Sequence, residues 1–240
     1  MRVKIKSKEN IANEVANLFI QTVNENPKCV LGFATGSTPL GVYGKLIEAC
    51  NQGLVSFKNV TSFNLDEYVG LDGNHDQSYR YFMDHNLFDH IDINKENTHV
   101  PQGVGEDITT LAQQYDVAIE EAGGIDLQIL GLGSDGHIAF NEPGTPFNSL
   151  THIAKLAPST IKDNSRFFNS LSDVPTEAVT MGLESIMRAK KIVLIATGEN
   201  KAMAVKALIE GIVTEKVPAT ILRNHPDVTI YLDKEAASKL

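Results

Sequence analysis

Residues 125–143 read IDLQILGLGSDGHIAFNEP, and this stretch joins a short apolar segment to a glycine-rich run that carries two acids and a histidine. The apolar segment, 125–130, is typical of a buried strand, and the glycines at 131, 133 and 136 let the chain turn directly after it. Open α/β sheets bind ligands at the loops that follow the carboxyl ends of parallel strands. The stretch therefore predicts an α/β sheet with a candidate active site at one edge.

Outside this stretch, apolar segments of strand length alternate with segments that have helical spacing. Further strands are predicted at Arg2–Lys6, Cys29–Ala34, Val60–Leu65, Lys191–Ala196 and Val228–Leu232. Helices are predicted at Ile11–Val23, Leu40–Ala49, Tyr79–His90, Leu111–Ala122, Leu183–Ala189 and Ala202–Ile209. This order predicts one α/β domain over residues 1–240, with helices on both faces of a mostly parallel open sheet.

Residues 146–176 are the exception to this alternation. The segment is polar, lacks clear periodicity and contains Pro158 and Pro175. Long segments without secondary structure are uncommon in compact domains, and those beside a site often act as lids. We therefore expect an irregular lid near 146–176.

Composition and charge exclude several classes of partner. The 240 residues are 42% hydrophobic, which is enough for a large core, and their net charge of −9 argues against nucleic acid or an anionic membrane surface. The two cysteines lack metal-ligand spacing and are typical of a reducing compartment. No apolar run has the length of a membrane span or the form of a signal peptide. We expect a cytoplasmic protein that binds a small molecule.

Two further strand-to-helix junctions predict contacts to an anion. In ATGSTP (34–39), Gly36, Ser37 and Thr38 precede a helix that starts near Pro39, where amides and hydroxyls bind anions. The alternative is that Ser37 or Thr38 only caps the helix. Lys201 falls in the first turn of the next predicted helix, where the helix dipole does not favour a cation. An anionic ligand explains that placement, and a solvated surface lysine is the alternative.

Asp66 and His137 are the candidate acid–base groups. Asp66 follows an apolar segment at the predicted carboxyl end of a strand, where a carboxylate can remove a substrate proton; a capping acid is the commoner role. His137 has Asp135 and Glu142 on either side, which would orient its ring. A metal site is the alternative for one histidine and two acids. The sequence disfavours it, because no second histidine is near; more distant ligands would be four of the other histidines, His75, His85, His90 and His99.

Several long motifs, taken in order, resemble the glucosamine-6-phosphate deaminases, also called glucosamine-6-phosphate isomerases, which have a Rossmann-like α/β fold. The motifs are GFATGSTP (32–39), SFNLDEYVGL (62–71), SYRYFM (78–83), GLGSDGHIAFNEP (131–143) and NSRFF (164–168). The resemblance covers nearly the whole chain. It implies conversion of glucosamine 6-phosphate and water to fructose 6-phosphate and ammonia in amino-sugar catabolism, without metal or organic cofactor.

The resemblance also implies a role for each site residue. Asp66 corresponds to the base that moves a proton between C2 and C1 of the sugar, and His137 to the group that opens the pyranose ring. Asp135 and Glu142 correspond to the acids that orient and tune the histidine. The phosphate would contact the loop of Gly36, Ser37 and Thr38, together with Arg166 and Lys201.

One departure from the family pattern concerns regulation. Hexameric members resemble one another in having basic residues shortly after the Asn-Glu-Pro motif, where N-acetylglucosamine 6-phosphate binds as an effector. Residues 144–154 of this chain contain no Lys or Arg. We therefore expect a monomer without this regulation.

Two alternatives to a deaminase remain at this point. The 6-phosphogluconolactonases are similar in fold and in the Gly-x-Asp-Gly-His core, but they lack the continuation FNEP found at 140–143. The effector domains of some sugar-phosphate-responsive transcription regulators share the architecture and bind their ligand without turnover. Such a regulator would need a DNA-binding module, which the sequence of this acidic chain does not indicate.

Overall fold

The computed structural model describes residues 1–240, apart from the side chains of residues 163 and 167. Its strands are, in chain order, β1 (Arg2–Ile5), β2 (Val30–Phe33), β3 (Thr61–Asn64), β4 (Asp66–Tyr68), β5 (Thr98–His99), β6 (Leu127–Gly131), β7 (His152–Lys155), β8 (Glu177–Thr180), β9 (Ile192–Ala196) and β10 (Val228–Leu232). Its α-helices are α1 (Lys8–Glu25), α2 (Leu40–Asn51), α3 (Tyr79–Asn86), α4 (Ile108–Glu121), α5 (Pro158–Asn164), α6 (Leu183–Met187) and α7 (Ala202–Glu210). Every predicted strand and helix is present; β10 has the predicted bounds, and the other elements differ from prediction by a few residues at one or both ends.

A parallel sheet forms the centre of the described structure. Its seven strands lie in the order β1–β10–β9–β6–β2–β3–β5, and each neighbouring pair is parallel. Strands β2, β9 and β10 are buried along their whole length, which requires cover on both faces. The predicted architecture, a mostly parallel sheet between helices, is confirmed. Within the part of the chain described here, no helix is long and apolar enough to cross a membrane.

Helix α1 shows how the apolar pattern attaches a helix to this sheet. The Ser7 hydroxyl caps its first turn by accepting a hydrogen bond from the backbone N–H of Asn10 at 3.3 Å. The large buried side chains of α1 recur one turn apart, at Ile11, Val15, Phe19 and Val23. The Phe19 ring stacks on Phe33 of β2, with centroids 5.6 Å apart. Burial of this stripe therefore holds α1 against the sheet.

The prediction that residues 146–176 are irregular is wrong, because the segment contains β7 and α5. Strand β7 pairs antiparallel with β8, which pairs antiparallel with β4, to form a second sheet of three strands. A separate apolar cluster is buried beside it, formed by Tyr68, Phe140, Ala154, Leu156 and Ala178. Strand β7 buries one of its four side chains and α5 has seven residues, too short for a period to be seen. Pairing with distant segments stabilises this region.

The strand order places the predicted site segments side by side. The carboxyl ends of parallel strands meet at the same edge of a sheet. Strands β9, β6, β2 and β3 are consecutive neighbours in the larger sheet. The junction 197–201 follows β9, the loop 132–143 follows β6, the junction 34–39 follows β2, and Asp66 follows β3. All four predicted segments therefore lie along one edge.

Candidate active site

Glycines shape the loop that carries His137. The backbone N–H of Gly133 donates to the carbonyl of His137 at 2.8 Å, which closes the loop into a tight turn. A Cβ at Gly133 would lie 2.3 Å from ring atoms of His137, so the ring packs directly on the glycine backbone. Gly136 has a φ of +89°, and a Cβ there would lie 2.4 Å from Val217. Both positions therefore exclude larger residues.

One nitrogen of His137 faces both predicted acids. Its Nδ1 lies 2.8 Å from Oδ1 of Asp135 and 3.6 Å from Oε2 of Glu142. The Asp135 carboxylate also accepts a hydrogen bond from the backbone N–H of His137 at 3.1 Å. His137 lowers the pKa of Asp135 to about 2, so Asp135 remains ionised at neutral pH. Because Nδ1 faces the acids, Nε2 is the ring nitrogen available for proton exchange with a ligand.

Glu142 is held from its other side by helix α5. Its Oε1 accepts hydrogen bonds from the hydroxyl of Thr160 at 2.6 Å and from the backbone N–H of Ala157 at 3.2 Å. Neither partner was predicted, because both lie in the segment that was expected to be irregular. The two oxygens of Glu142 therefore have different surroundings, one at α5 and one at His137.

Asp135, His137 and Glu142 also have the spacing of a metal site. One ligand atom from each lies within 4.8 Å of the others. Among the described residues, no other group of three or more His, Cys, Asp or Glu side chains has this arrangement. The four further histidines have other neighbours. His75 lies beside Asp76, His85 stacks on Tyr81, His90 contacts the carbonyl of His85, and His99 stacks on Phe63. An additional metal ligand beside Asp135, His137 and Glu142 therefore does not come from these four histidines.

Asp66 is a buried carboxylate at the start of β4. It is 7% exposed and lies opposite Thr180 of β8 in the small sheet. Burial and, to a lesser extent, the negative charge of Glu67 raise the pKa of Asp66 to about 8. A carboxylate that resists ionisation is a strong base once it is ionised. The environment of Asp66 thus suits proton removal from carbon.

Glu67 is a further residue of this region, and no role was predicted for it. Its carboxylate accepts hydrogen bonds from the backbone N–H groups of Tyr68 (2.8 Å), Tyr79 (2.9 Å) and Arg80 (3.0 Å). Two of these donors belong to the first turn of α3, so Glu67 caps that helix and ties β4 to it. Burial raises the pKa of Glu67 to about 7 against these hydrogen bonds. Glu67 and Tyr79 are 12 residues apart in the chain, so no local pattern in the sequence indicated this contact.

Ser37 and Thr38 line a cleft at the carboxyl end of β2. The cleft has a volume of about 310 Å³, and its lining also includes Lys8 and Thr197. Pro39 occupies the N-cap position of helix α2, and within the described structure no side chain makes a capping hydrogen bond there. The alternative in which Ser37 or Thr38 is the N-cap is therefore wrong. Gly36 turns the chain before them with a φ of +87°. The hydroxyls of Ser37 and Thr38 are thus available to a ligand.

The cleft lies near the loop 132–143 that carries His137. The hydroxyl of Thr38 lies 3.8 Å from the position that a Cβ on Gly131 would occupy, and Gly131 ends β6 immediately before that loop. An anion held by the 34–39 turn would therefore lie near the strand that leads to His137.

The two predicted cations lie on two different elements. Arg166 is exposed in a 3-10 turn, Ser165–Phe167, that directly follows α5. Lys201 is half-buried in the 3-10 turn Glu199–Lys201, at the N-cap of α7. The turn is held by Asp233, whose carboxylate accepts from the backbone N–H of Gly198 at 3.0 Å. Contact of Arg166 and Lys201 with a phosphate remains a prediction.

Sequence relatives of this chain cover nearly all of it. A family model described as glucosamine-6-phosphate isomerases/6-phosphogluconolactonase matches residues 5–231. A glucosamine-6-phosphate deaminase of Thermoanaerobacter pseudethanolicus is 55% identical over 230 residues, which are 96% of this chain and 91% of that protein. A glucosamine-6-phosphate deaminase of Clostridium tetani is 55% identical over 238 residues, which are 99% of each chain.

Solved structures separate close from distant likeness. A protein described as a monomeric glucosamine-6-phosphate deaminase is 40% identical and has a TM-score of 0.98, with 100% of both chains covered. A 6-phosphogluconolactonase from Trypanosoma cruzi is 22% identical with a TM-score of 0.81, covering 100% of this chain and 96% of that one. The likeness to the lactonase concerns the fold alone.

Proposed function

The chain belongs to the family of glucosamine-6-phosphate isomerases and 6-phosphogluconolactonases, and we propose that it converts glucosamine 6-phosphate and water to fructose 6-phosphate and ammonia. The resemblance seen in the motifs is confirmed by relatives named for this deamination. The observation that carries the proposal is that one edge of the sheet holds both the His137 loop and the buried carboxylate of Asp66. A lactonase, which hydrolyses an ester, has no need for such a carbon base.

The first chemical step is opening of the pyranose ring. His137 removes the proton of the C1 hydroxyl through Nε2 and supplies a proton to the ring oxygen as the C1–O5 bond breaks, which yields the open-chain aldehyde. Asp135 and Glu142 lie 2.8 and 3.6 Å from Nδ1, where they orient the ring. Both acids act on the histidine and need not contact the sugar.

The second step moves a proton between carbons. Ionised Asp66 removes the C2 proton, the carbonyl oxygen at C1 gains the proton that the substrate's ammonium group releases, and a neutral enolic amine results. Asp66 then returns its proton to C1, which leaves an iminium ion at C2. Water adds to that carbon, ammonia leaves, and the C2 ketone of fructose 6-phosphate remains. The buried position of Asp66 supports this role, because a carboxylate shielded from water is more basic.

Phosphate binding supplies orientation rather than chemistry. The 34–39 turn provides hydroxyls of Ser37 and Thr38 and the backbone amide beside Gly36, while Arg166 and Lys201 provide positive charge. The chain has a net charge of −9, so such a local site is needed to hold a phosphate dianion. Binding energy from the phosphate positions the reacting carbons between His137 and Asp66.

We further propose a cytoplasmic enzyme that acts as a monomer, without metal, organic cofactor or regulation by N-acetylglucosamine 6-phosphate. Both cysteines, Cys29 and Cys50, are free thiols, as in reducing compartments. The solved relative at 40% identity is described as monomeric. The segment 144–154 has no Lys or Arg to bind an effector phosphate. Light scattering should give one chain's mass, and saturation by substrate should be hyperbolic and unchanged by the N-acetyl compound.

The decisive experiment is an assay of the purified chain with glucosamine 6-phosphate. Ammonia and fructose 6-phosphate should form in equal amounts, and unphosphorylated glucosamine should be a poor substrate. Hydrolysis of 6-phosphogluconolactone is the parallel assay. Lactone hydrolysis without ammonia release would overturn the proposal.

A further inference from the structure

We infer that Thr160 is a positioning residue for the reaction: its hydroxyl holds one oxygen of Glu142 so that the other faces His137. The inference rests on the proposed function, in which Glu142 acts on His137. Thr160 lies on α5, outside the glycine-rich loop and the phosphate-binding turn, and has no role in the mechanism described so far.

The contacts at Glu142 carry this inference. Thr160 is 6% exposed, and its hydroxyl donates to Oε1 of Glu142 at 2.6 Å. The backbone N–H of Ala157 donates to the same oxygen at 3.2 Å. With Oε1 occupied by two donors, Oε2 is directed toward Nδ1 of His137, at 3.6 Å. Hydrogen bonds to an ionised acceptor are stronger than neutral ones, so the pair restrains the carboxylate.

The restraint matters because a glutamate side chain has three rotatable bonds. Without a donor at Oε1, the carboxylate can rotate or move toward water, and its charge then lies farther from the imidazole. The backbone N–H of Ala157 would remain after loss of the Thr160 hydroxyl, but a single donor fixes the direction of a carboxylate less well than two. We therefore expect loss of the hydroxyl to slow the step that uses His137.

A purely structural role is the competing explanation. The same hydrogen bond attaches the start of α5 to the catalytic loop, and within the described residues α5 has no side-chain cap at its N-cap, Ala157. If attachment of the helix were the only role, removing the hydroxyl would loosen α5 and the Arg166 turn that follows it. That would lower thermal stability and raise the Michaelis constant for the phosphorylated substrate, while kcat would change little.

The test compares Thr160→Val with Thr160→Ser and wild type. Valine keeps the shape and removes the hydroxyl, and serine restores it. We expect Thr160→Val to lower kcat about 10- to 100-fold, with KM within about threefold of wild type, and Thr160→Ser to recover most of kcat. Ser159→Ala is the matched control, because Ser159 is exposed in the same turn and this change should leave kcat unaltered.

The outcomes separate this inference from the proposed function. If wild type releases no ammonia, the proposed function fails. If wild type is active but Thr160→Val keeps kcat within about threefold, or if Thr160→Ser is as slow as Thr160→Val, the positioning role is overturned. Circular dichroism and the thermal midpoint measure folding in parallel. A fall in activity that matches the loss of folded protein would assign Thr160 to stability and likewise overturn the inference.

Discussion

Asp135 and Asp66 are two carboxylates at one edge of the sheet, and their surroundings have opposite effects. Asp135 is a third exposed and lies beside His137, which lowers its pKa to about 2. Asp66 is buried, its neighbour Glu67 is a second acid, and its pKa is raised to about 8. Because their surroundings separate the two pKa values, Asp135 is a permanent negative charge at neutral pH, whereas Asp66 is a strong base once it is ionised. In the proposed mechanism, the His137 loop and the start of β4 therefore have different roles.

The largest effect should come from removing the base. Asp66→Asn keeps the size of the side chain, so the protein should fold and bind substrate, while kcat should fall by roughly two to four orders of magnitude. Steady-state kinetics and a substrate-protection assay measure the two quantities. Activity within about threefold of wild type would show that Asp66 is not the base. The proposed difference in role between Asp66 and Asp135 would then be wrong.

A smaller effect is expected from His137→Gln, of about 100-fold on the pyranose substrate. An open-chain analogue that cannot cyclise bypasses the step assigned to His137, so its turnover should fall much less. Parallel kinetics with the two substrates check this difference. Equal losses on both would assign His137 to the carbon proton transfer or to the structure of the loop.

A shift in pH dependence should follow from Glu67→Gln. Asp66 must be ionised to act, and the negative charge of Glu67 disfavours that ionisation, so removing the charge should lower the pKa of Asp66. The acid limb of kcat/KM should therefore move to lower pH. Among the described residues, the other titratable groups that interact with Asp66 are Tyr68, Tyr79 and Tyr115, whose pKa values burial raises, so they stay neutral in this range.

Glu177→Gln provides the control for this shift. It removes a carboxylate from β8 of the same small sheet without touching the α3 cap, and its pH profile should match wild type. Thermal denaturation is needed alongside, because Glu67→Gln also weakens the hydrogen bonds to Tyr79 and Arg80. An unchanged acid limb in folded Glu67→Gln protein would contradict the electrostatic link between the two acids.

The smallest effect should come from metal chelation. Asp135, His137 and Glu142 have the spacing of a metal site, and the proposed chemistry uses them for proton transfer only. Prolonged dialysis against a chelator should leave kcat within experimental error of the untreated enzyme. If activity is lost and a divalent cation restores it, the His137 loop binds a metal. That result would contradict the proposed role of these side chains in proton transfer only.

The two regions also differ in how far the sequence could predict them. Asp135, His137 and Glu142 lie within eight residues, in a glycine-rich run that follows a clear apolar strand. The strand's period and the rule for parallel sheets are enough to place them at a ligand-binding edge. The attachment of Glu67 to α3 and the pairing of β4 with β8 join segments far apart in the chain, and no local period reports such contacts.

The sequence alone determined the α/β class, the edge at which the four segments meet and the residue types that the chemistry needs, because hydrophobic period and residue spacing are local properties. The tertiary structure decided that residues 146–176 form β7 and α5, that Thr160 reaches Glu142, and that Ser37 and Thr38 do not cap α2. These features depend on which distant surfaces pack together and on the burial that results. Packing and burial arise only when the whole chain has folded.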